Sequence, residues 1–166
     1  HGLPGSLLGL LCLSHPEMRV MLVASLEGFL TNPVKYVSVA LFILGALICY
    51  RWLIDRAIDA RAVAWILYAL AISIWEEWVF RLAVPYFAQA QGFNLFAAIV
   101  LSSLAFGVLH YFTLRWKWQW CLGAFVGGML FSRMLHTHAD LALVIADHWI
   151  STFLNTPRPP GGARRQ

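Results

Sequence analysis

The sequence predicts an all-α fold, a polytopic transmembrane helix bundle of about six to seven membrane helices. Three observations carry the prediction. Of 166 residues, 60% are hydrophobic and 12% are charged, whereas soluble domains carry about a quarter charged residues. Apolar runs close to the roughly 20 residues that cross a hydrocarbon core recur along the chain. Between them lie short clusters of Lys and Arg with Trp and Tyr nearby, which is the distribution that membrane orientation requires. The formal net charge of +4 is scattered among these clusters, so no nucleic-acid partner is expected.

The elements follow in order. Residues 3–13 read as a partial span or an interfacial piece, and 18–30 as a short candidate ended by "TNP". Together, 1–33 form an N-terminal region of partial or interfacial membrane helices. Residues 34–53, "VKYVSVALFILGALICYRWL", form a clean span. The stretch 61–91 is too long for one straight crossing, and is predicted to tilt or to break near Pro85, because proline removes a helix hydrogen bond. Residues 93–112, 118–135 and 139–155 supply three further spans and complete a helical core over 34–155. The remainder, 156–166, is rich in Pro and Gly and reads as a disordered cytoplasmic tail. Gly123 and Gly127 make a GxxxG beside Gly128, which predicts close helix packing. Cys12, Cys49 and Cys121 sit far apart in apolar runs with no metal spacing, and read as packing residues.

The connections alternate in charge. Arg51, Arg56 and Arg61 fall in one, and Arg115 and Lys117 in another. No Lys, Arg, Asp or Glu lies in 83–93, and 136–140 holds only His136, His138 and Asp140. The tail adds Arg158, Arg164 and Arg165. Basic connections mark the cytoplasmic side. The expected protein is therefore an integral multi-pass protein of a bacterial cytoplasmic membrane, with its C-terminus inside and the lipid bilayer as its solvent.

An ionisable group near the bilayer centre costs at least about 2.5–3.5 kcal/mol, so each is a functional candidate. "SIWEEWVFRL" places Glu76, Glu77 and Arg81 in one apolar stretch. Glu77 and Arg81 are four apart, share a helix face and can pair. Glu76 then points about 100° away, on the side of Ser73 and Phe80, as the free carboxylate. A purely structural ion network is the alternative for this cluster. His110 ends "SSLAFGVLH", with Phe106 one turn before it on a face that Ser103 and Gly107 keep small; an interfacial histidine is the alternative there. His148 is followed by Ser151, Thr152 and Asn155 at helical spacing, four polar groups on one stripe, with Asp147 off it. One carboxylate and two imidazoles on three spans suit water activation, with or without a divalent metal. His-Glu-x-x-His, GxSxG and glycine-rich phosphate motifs do not occur.

"EEWVFR" and "FGVLH" resemble the EExxxR and FxxxH motifs of the CPBP family of intramembrane proteases, which includes CAAX prenyl endopeptidases of the Ras-converting type and bacterial relatives tied to bacteriocin self-immunity or protein sorting. His148, in a helix after a Gly-rich one, matches the third motif, and the resemblance covers roughly 62–155. It implies Glu76 as the catalytic glutamate that activates water, Glu77 and Arg81 as support, and His110 and His148 as the rest of the site, beside Phe106. It also implies a membrane-embedded or lipidated protein substrate. The family has been described both as metal-dependent and as metal-free, so Glu76, His110 and His148 are also the zinc ligands if a metal is used. Thr152 stands where the family has asparagine, an expected oxyanion donor; its hydroxyl, or Asn155 one turn on, is the candidate substitute. A weakened or inactive member acting as an immunity or sorting partner is the second reading. A haem protein with His110 and His148 as axial ligands is the third.

Depth sets one more expectation. If its helix starts at Arg61, Glu76 lies roughly 21 Å in, whereas His110 lies near a cytoplasmic end. The two share a site only if 61–70 runs along the surface or the helix tilts strongly, with a cavity opening toward the cytoplasmic half.

Overall fold

The computed structural model describes residues 7, 10, 12–56 and 58–156. Most of the 3–13 segment and all but the first residue of the 156–166 tail lie outside these. Among the described residues the structure is all-helical, as the sequence predicts. Its helices are α1 (Pro16–Ser25), α2 (Glu27–Thr31), α3 (Pro33–Asp55), α4 (Ala60–Ala90), α5 (Leu95–Leu114), α6 (Trp118–His138) and α7 (Leu141–Asn155).

Sequence explains where these helices stop and start. Four N-termini are capped by a side chain that accepts a backbone N–H three residues on: Asn32 from Lys35, Asp59 from Ala62, Asn94 from Ala97 and Asp140 from Leu143. Three C-termini end in a left-handed residue, Arg56, Arg115 and Ala139, with φ of 55°, 52° and 50°. None is glycine, so each chain reversal is held against a steric cost that glycine would avoid.

Helices α3, α4 and α5 are long and apolar enough to cross a membrane. Their outward residues are large and apolar, as lipid contact requires: Phe42 is 78% exposed, Phe96 71% and Phe112 72%. The predicted 118–135 span forms a 21-residue helix that does not reach the hydropathy of those three, since Gln119, Arg133 and its glycines dilute it. The predicted 18–30 segment is two short helices joined at Leu26. Arg51, expected in a basic connection, lies inside α3, buried and paired with Asp55 one turn on.

The predicted break near Pro85 does not occur. Helix α4 runs through it, but widens to π-helical turns at Trp78–Ala83. The physical reason is visible in the bonds. Val84 N–H reaches back five residues to Val79 O. In that register the next carbonyl, Phe80 O, faces residue 85, a proline with no N–H. Ser102 of α5 supplies the missing donor through its hydroxyl.

Two buried clusters hold the bundle. Cys12 and Met18 pack with Trp78, Val79 and Leu82 of the π segment and with Leu135, Leu141 and Val144. Ile43 and Leu47 of α3 meet Ile66 and Ala69 of α4 and Trp149 and Phe153 of α7. Trp149 Nε1 donates to Ile66 O at 2.8 Å, so that even the indole proton is used. Gly107 lets α5 and α6 touch: a Cβ there would lie 2.8 Å from Cys121 O.

Candidate active site

The π segment begins where the acidic pair ends, and the two glutamates part company. Glu77 is fully buried and accepts from Arg81 Nε at 3.0 Å. This is the ion pair that four-residue spacing predicts. The Arg81 guanidinium also lies over the Phe106 ring, 4.9 Å from its centroid, and Phe80 packs edge-on against that ring. Glu76 instead retains 17% side-chain exposure and faces a cavity.

His148 joins the two carboxylates. Its Nδ1 approaches Glu77 Oε1 to 2.6 Å, and neither atom has a hydrogen-bond partner elsewhere. Its Nε2 lies 3.5 Å from Glu76 Oε2. The ring is fixed by Phe131 and Phe106, at centroid separations of 5.2 and 5.8 Å. His110 comes from α5. Its Nδ1 is 2.8 Å from its own helix carbonyl, Phe106 O, which requires the proton on Nδ1 and makes Nε2 the acceptor of the neutral ring. Trp116 covers the other side at 4.8 Å.

These groups share one cavity of about 890 Å³. Glu76, Phe106, Phe131 and His148 line its deep end; Arg61, Leu114, Trp116 and Trp120 line the end where α4 begins and α5 stops. His110 lines it as well, so Glu76 and His110 stand on one space although they differ in position along their helices. Helix α4 is unbroken from Ala60 to Glu77 and contributes lining from Arg61 to Glu76. The polar stripe of α7 is there in full: His148, Ser151, Thr152 and Asn155 all line the cavity. Thr152 Oγ1 sits 3.5 Å from Ser73 Oγ, whose proton goes to Ala69 O at 2.9 Å. Asp147 lies off this lining; its carbonyl accepts from Ser151.

The GxxxG pair behaves differently from the packing expected of it. Gly123 and Gly127 line the cavity, and a Cβ on either would meet nothing within 4 Å. On α5 and α6 the contact glycines are Gly107 and Gly128 instead. Aromatic lining residues Trp65, Tyr68, Trp116 and Trp120 were not singled out by motif; their only signal is Trp and Tyr recurring beside the basic clusters.

Among the described residues no group of three His, Cys, Asp or Glu converges to hold a metal ion. Both ring nitrogens of His148 face glutamates, and His110 Nδ1 is turned to its own backbone.

Residues 58–154 match the family model of type II CAAX prenyl endopeptidase, Rce1-like. Neither a curated protein nor a solved structure matches the chain. The match spans more than half of the 166 residues, so the chain belongs to the Rce1-like family, a membrane family of proteases of the CAAX-processing type.

Proposed function

We propose that this Rce1-like protein hydrolyses a peptide bond in a membrane-embedded or C-terminally lipidated protein segment, with Glu76 as the general base. The observation that carries the reading is the division of the acidic pair: Glu77 is sealed against Arg81, whereas Glu76 opens onto a cavity shared with both histidines.

In this reading Glu76 takes a proton from water, and His110 Nε2 orients that water by accepting its second hydrogen. The water oxygen bonds to the scissile carbonyl carbon, and the carbonyl oxygen becomes an oxyanion that the Thr152 hydroxyl stabilises. The C–N bond then breaks, and Glu76 returns its proton to the leaving amine. His148 keeps Glu76 aimed by facing it with one nitrogen while the other is tied to Glu77. The chemistry uses carboxylate, imidazole and water. The cavity end marked by Arg61, near Arg56, Arg115 and Lys117, faces the cytoplasm by the excess of positive charge there, and admits the substrate.

The test is cleavage of a prenylated peptide with a CAAX-type terminus by the purified full chain in detergent or vesicles. Glu76→Gln should lower kcat by about 100-fold or more. Equal turnover by Glu76→Gln would sink the assignment. A second reading, a member of weak or no activity that acts as a binding partner, draws on Thr152, whose hydroxyl stands near Ser73 where the family motif has an amide. A wild-type chain that binds the peptide without cutting it selects that reading. The haem alternative gains no support, because both His148 nitrogens face glutamates.

A further inference from the structure

Charges are sparse in α3–α7, and nearly all of them have an evident reason to be there. Lys35 lies in the first turn of α3, and Arg56, Arg115 and Lys117 lie in connections. Asp59 and Asp140 cap helices. Arg51 pairs with Asp55, and Arg81 with Glu77. Arg61 and Glu76 line the cavity. Arg133 of α6 and Asp147 of α7 fit none of these descriptions. Both lie inside helices and away from the cavity lining. Neither side chain forms an ion pair or a hydrogen bond with another described residue.

Both look outward. Arg133 is exposed on the side of α6 that carries the exposed Val126 and Leu130, opposite the buried Gly128 and Leu135. Asp147 is half-buried, on the side of α7 that carries the exposed Leu143 and Leu154. They also stand at one level. Helices α6 and α7 run back along each other from the connection at Ala139–Asp140. Phe131 meets His148 at 5.2 Å between ring centroids, and Leu135 packs in one cluster with Val144. Arg133 is midway between Phe131 and Leu135, and Asp147 is within one residue of the midpoint between Val144 and His148. Arg133 lies about 8 Å from the His138 end of α6, and Asp147 about 9 Å from the Leu141 start of α7. An arginine there can lead its guanidinium toward the headgroups along its aliphatic stem. A mid-helix aspartate is too short to do so, and in a bilayer it needs a base.

We infer that two copies of this chain associate through the outer faces of α6 and α7, about a two-fold axis along the membrane normal, with Arg133 of each copy paired to Asp147 of the other. The common level selects a second copy as the occupant. Such an axis keeps every residue at its own depth, so an acid and a base on one face pair reciprocally only when their depths match. Here they match, and both ion pairs close at once with no net charge left in the interface. A partner carrying one charge would satisfy one of the two groups and strand the other. The exposed apolar side chains flanking them pack beside the pairs in place of lipid.

The test reads oligomeric state and needs no cleavage assay, so its outcome is independent of the proposed catalysis. Full chains carrying a donor or an acceptor fluorophore are mixed in vesicles of neutral phosphatidylcholine, and energy transfer is followed as added lipid dilutes the protein. Wild type should show transfer that persists on dilution. Arg133→Glu and Asp147→Lys should each weaken association by at least about tenfold, because each homodimer then sets like charges against one another. Mixed together, the two variants should recover it. The new acid at position 133 then faces the new base at position 147, and the untouched Asp147 and Arg133 face each other. Neither an ion pair within one chain nor loss of folding would give that recovery. A wild-type chain that stays monomeric overturns the inference and leaves Asp147 to a basic substrate segment or to lipid. Variants that associate as well as wild type overturn it too, as does a mixture of folded variants no tighter than its parts. If a reversed variant does not fold, Asp147→Asn or Arg133→Gln replaces it. Each should weaken self-association about tenfold, and self-association equal to that of wild type overturns the pairing.

Discussion

Where α5 meets α6, and where Gly128 meets Ser103, the helices close until a methyl would crowd its neighbours; in front of Glu76 they stand apart. Gly107 and Gly128 belong to the closed side, where a Cβ would meet Cys121 O at 2.8 Å or Ser103 at 3.1 Å. Gly123 and Gly127, within five residues of Gly128 on the same helix, belong to the open side and would meet nothing. The adjacent glutamates repeat the contrast. One is fully buried in an ion pair, and the other looks into a cavity of about 890 Å³. Residue type therefore does not set the role of either a glycine or a glutamate here. The side of the helix on which it falls does.

The strongest way to break this comparison is to exchange the glutamates' fates. Glu77→Ala leaves Arg81 and His148 without their carboxylate in a dry interior, and should destabilise the protein by about 3–5 kcal/mol, read by denaturant unfolding in detergent. Glu76→Ala should change the same quantity by under about 1 kcal/mol. Comparable losses would show that both carboxylates are structural. The next effect lies on the open side. Thr152→Ala should cut kcat by about 100-fold if its hydroxyl is the oxyanion donor, with the melting temperature nearly unmoved. An unchanged kcat would move that role elsewhere, with Asn155 the next candidate.

Smaller effects sharpen the contrast between glycines. Gly107→Ala should destabilise by about 1–3 kcal/mol, because its methyl drives into the backbone of α6. Gly123→Ala enters open space in a helix, so it should be neutral or stabilise by up to about 1 kcal/mol. A loss at Gly123 as large as that at Gly107 would mean that α6 meets another helix across the cavity.

Much of this was legible beforehand because it depends on local spacing. Four-residue separation is enough to pair Glu77 with Arg81, and helical periodicity is enough to put His148, Ser151, Thr152 and Asn155 on one stripe. Helix limits came within about two residues for α3, α5 and α7, since apolar runs and Asn or Asp caps mark them. Read from the sequence as a full span, α7 has 15 residues and is shorter than the three helices long enough to cross a membrane. What stayed hidden depends on which helix lies opposite. Nothing in "GAFVGG" says that its first glycine faces a cavity and its last a serine. Arg51 reads as a loop charge by count, yet it is drawn into α3 by an aspartate one turn away. The two-sided grip of His148 on Glu76 and Glu77 requires α7 to lie against α4, which no local pattern encodes.

The widened turns at Trp78–Ala83 carry a consequence for how this chain can change over time. A helix with one residue more than its turns require takes up that residue in the wide turn. Removing one residue there would restore the ordinary turn and leave the flanking faces close to where they are, whereas the same deletion in an ordinary turn would swing one side by about 100° against the other. Glu76 would keep its face to the cavity and Leu82 its face to the core. A one-letter gap is therefore tolerated in the widened segment better than in any other turn of α4, and the extra residue is a local feature on which the placement of the site does not depend.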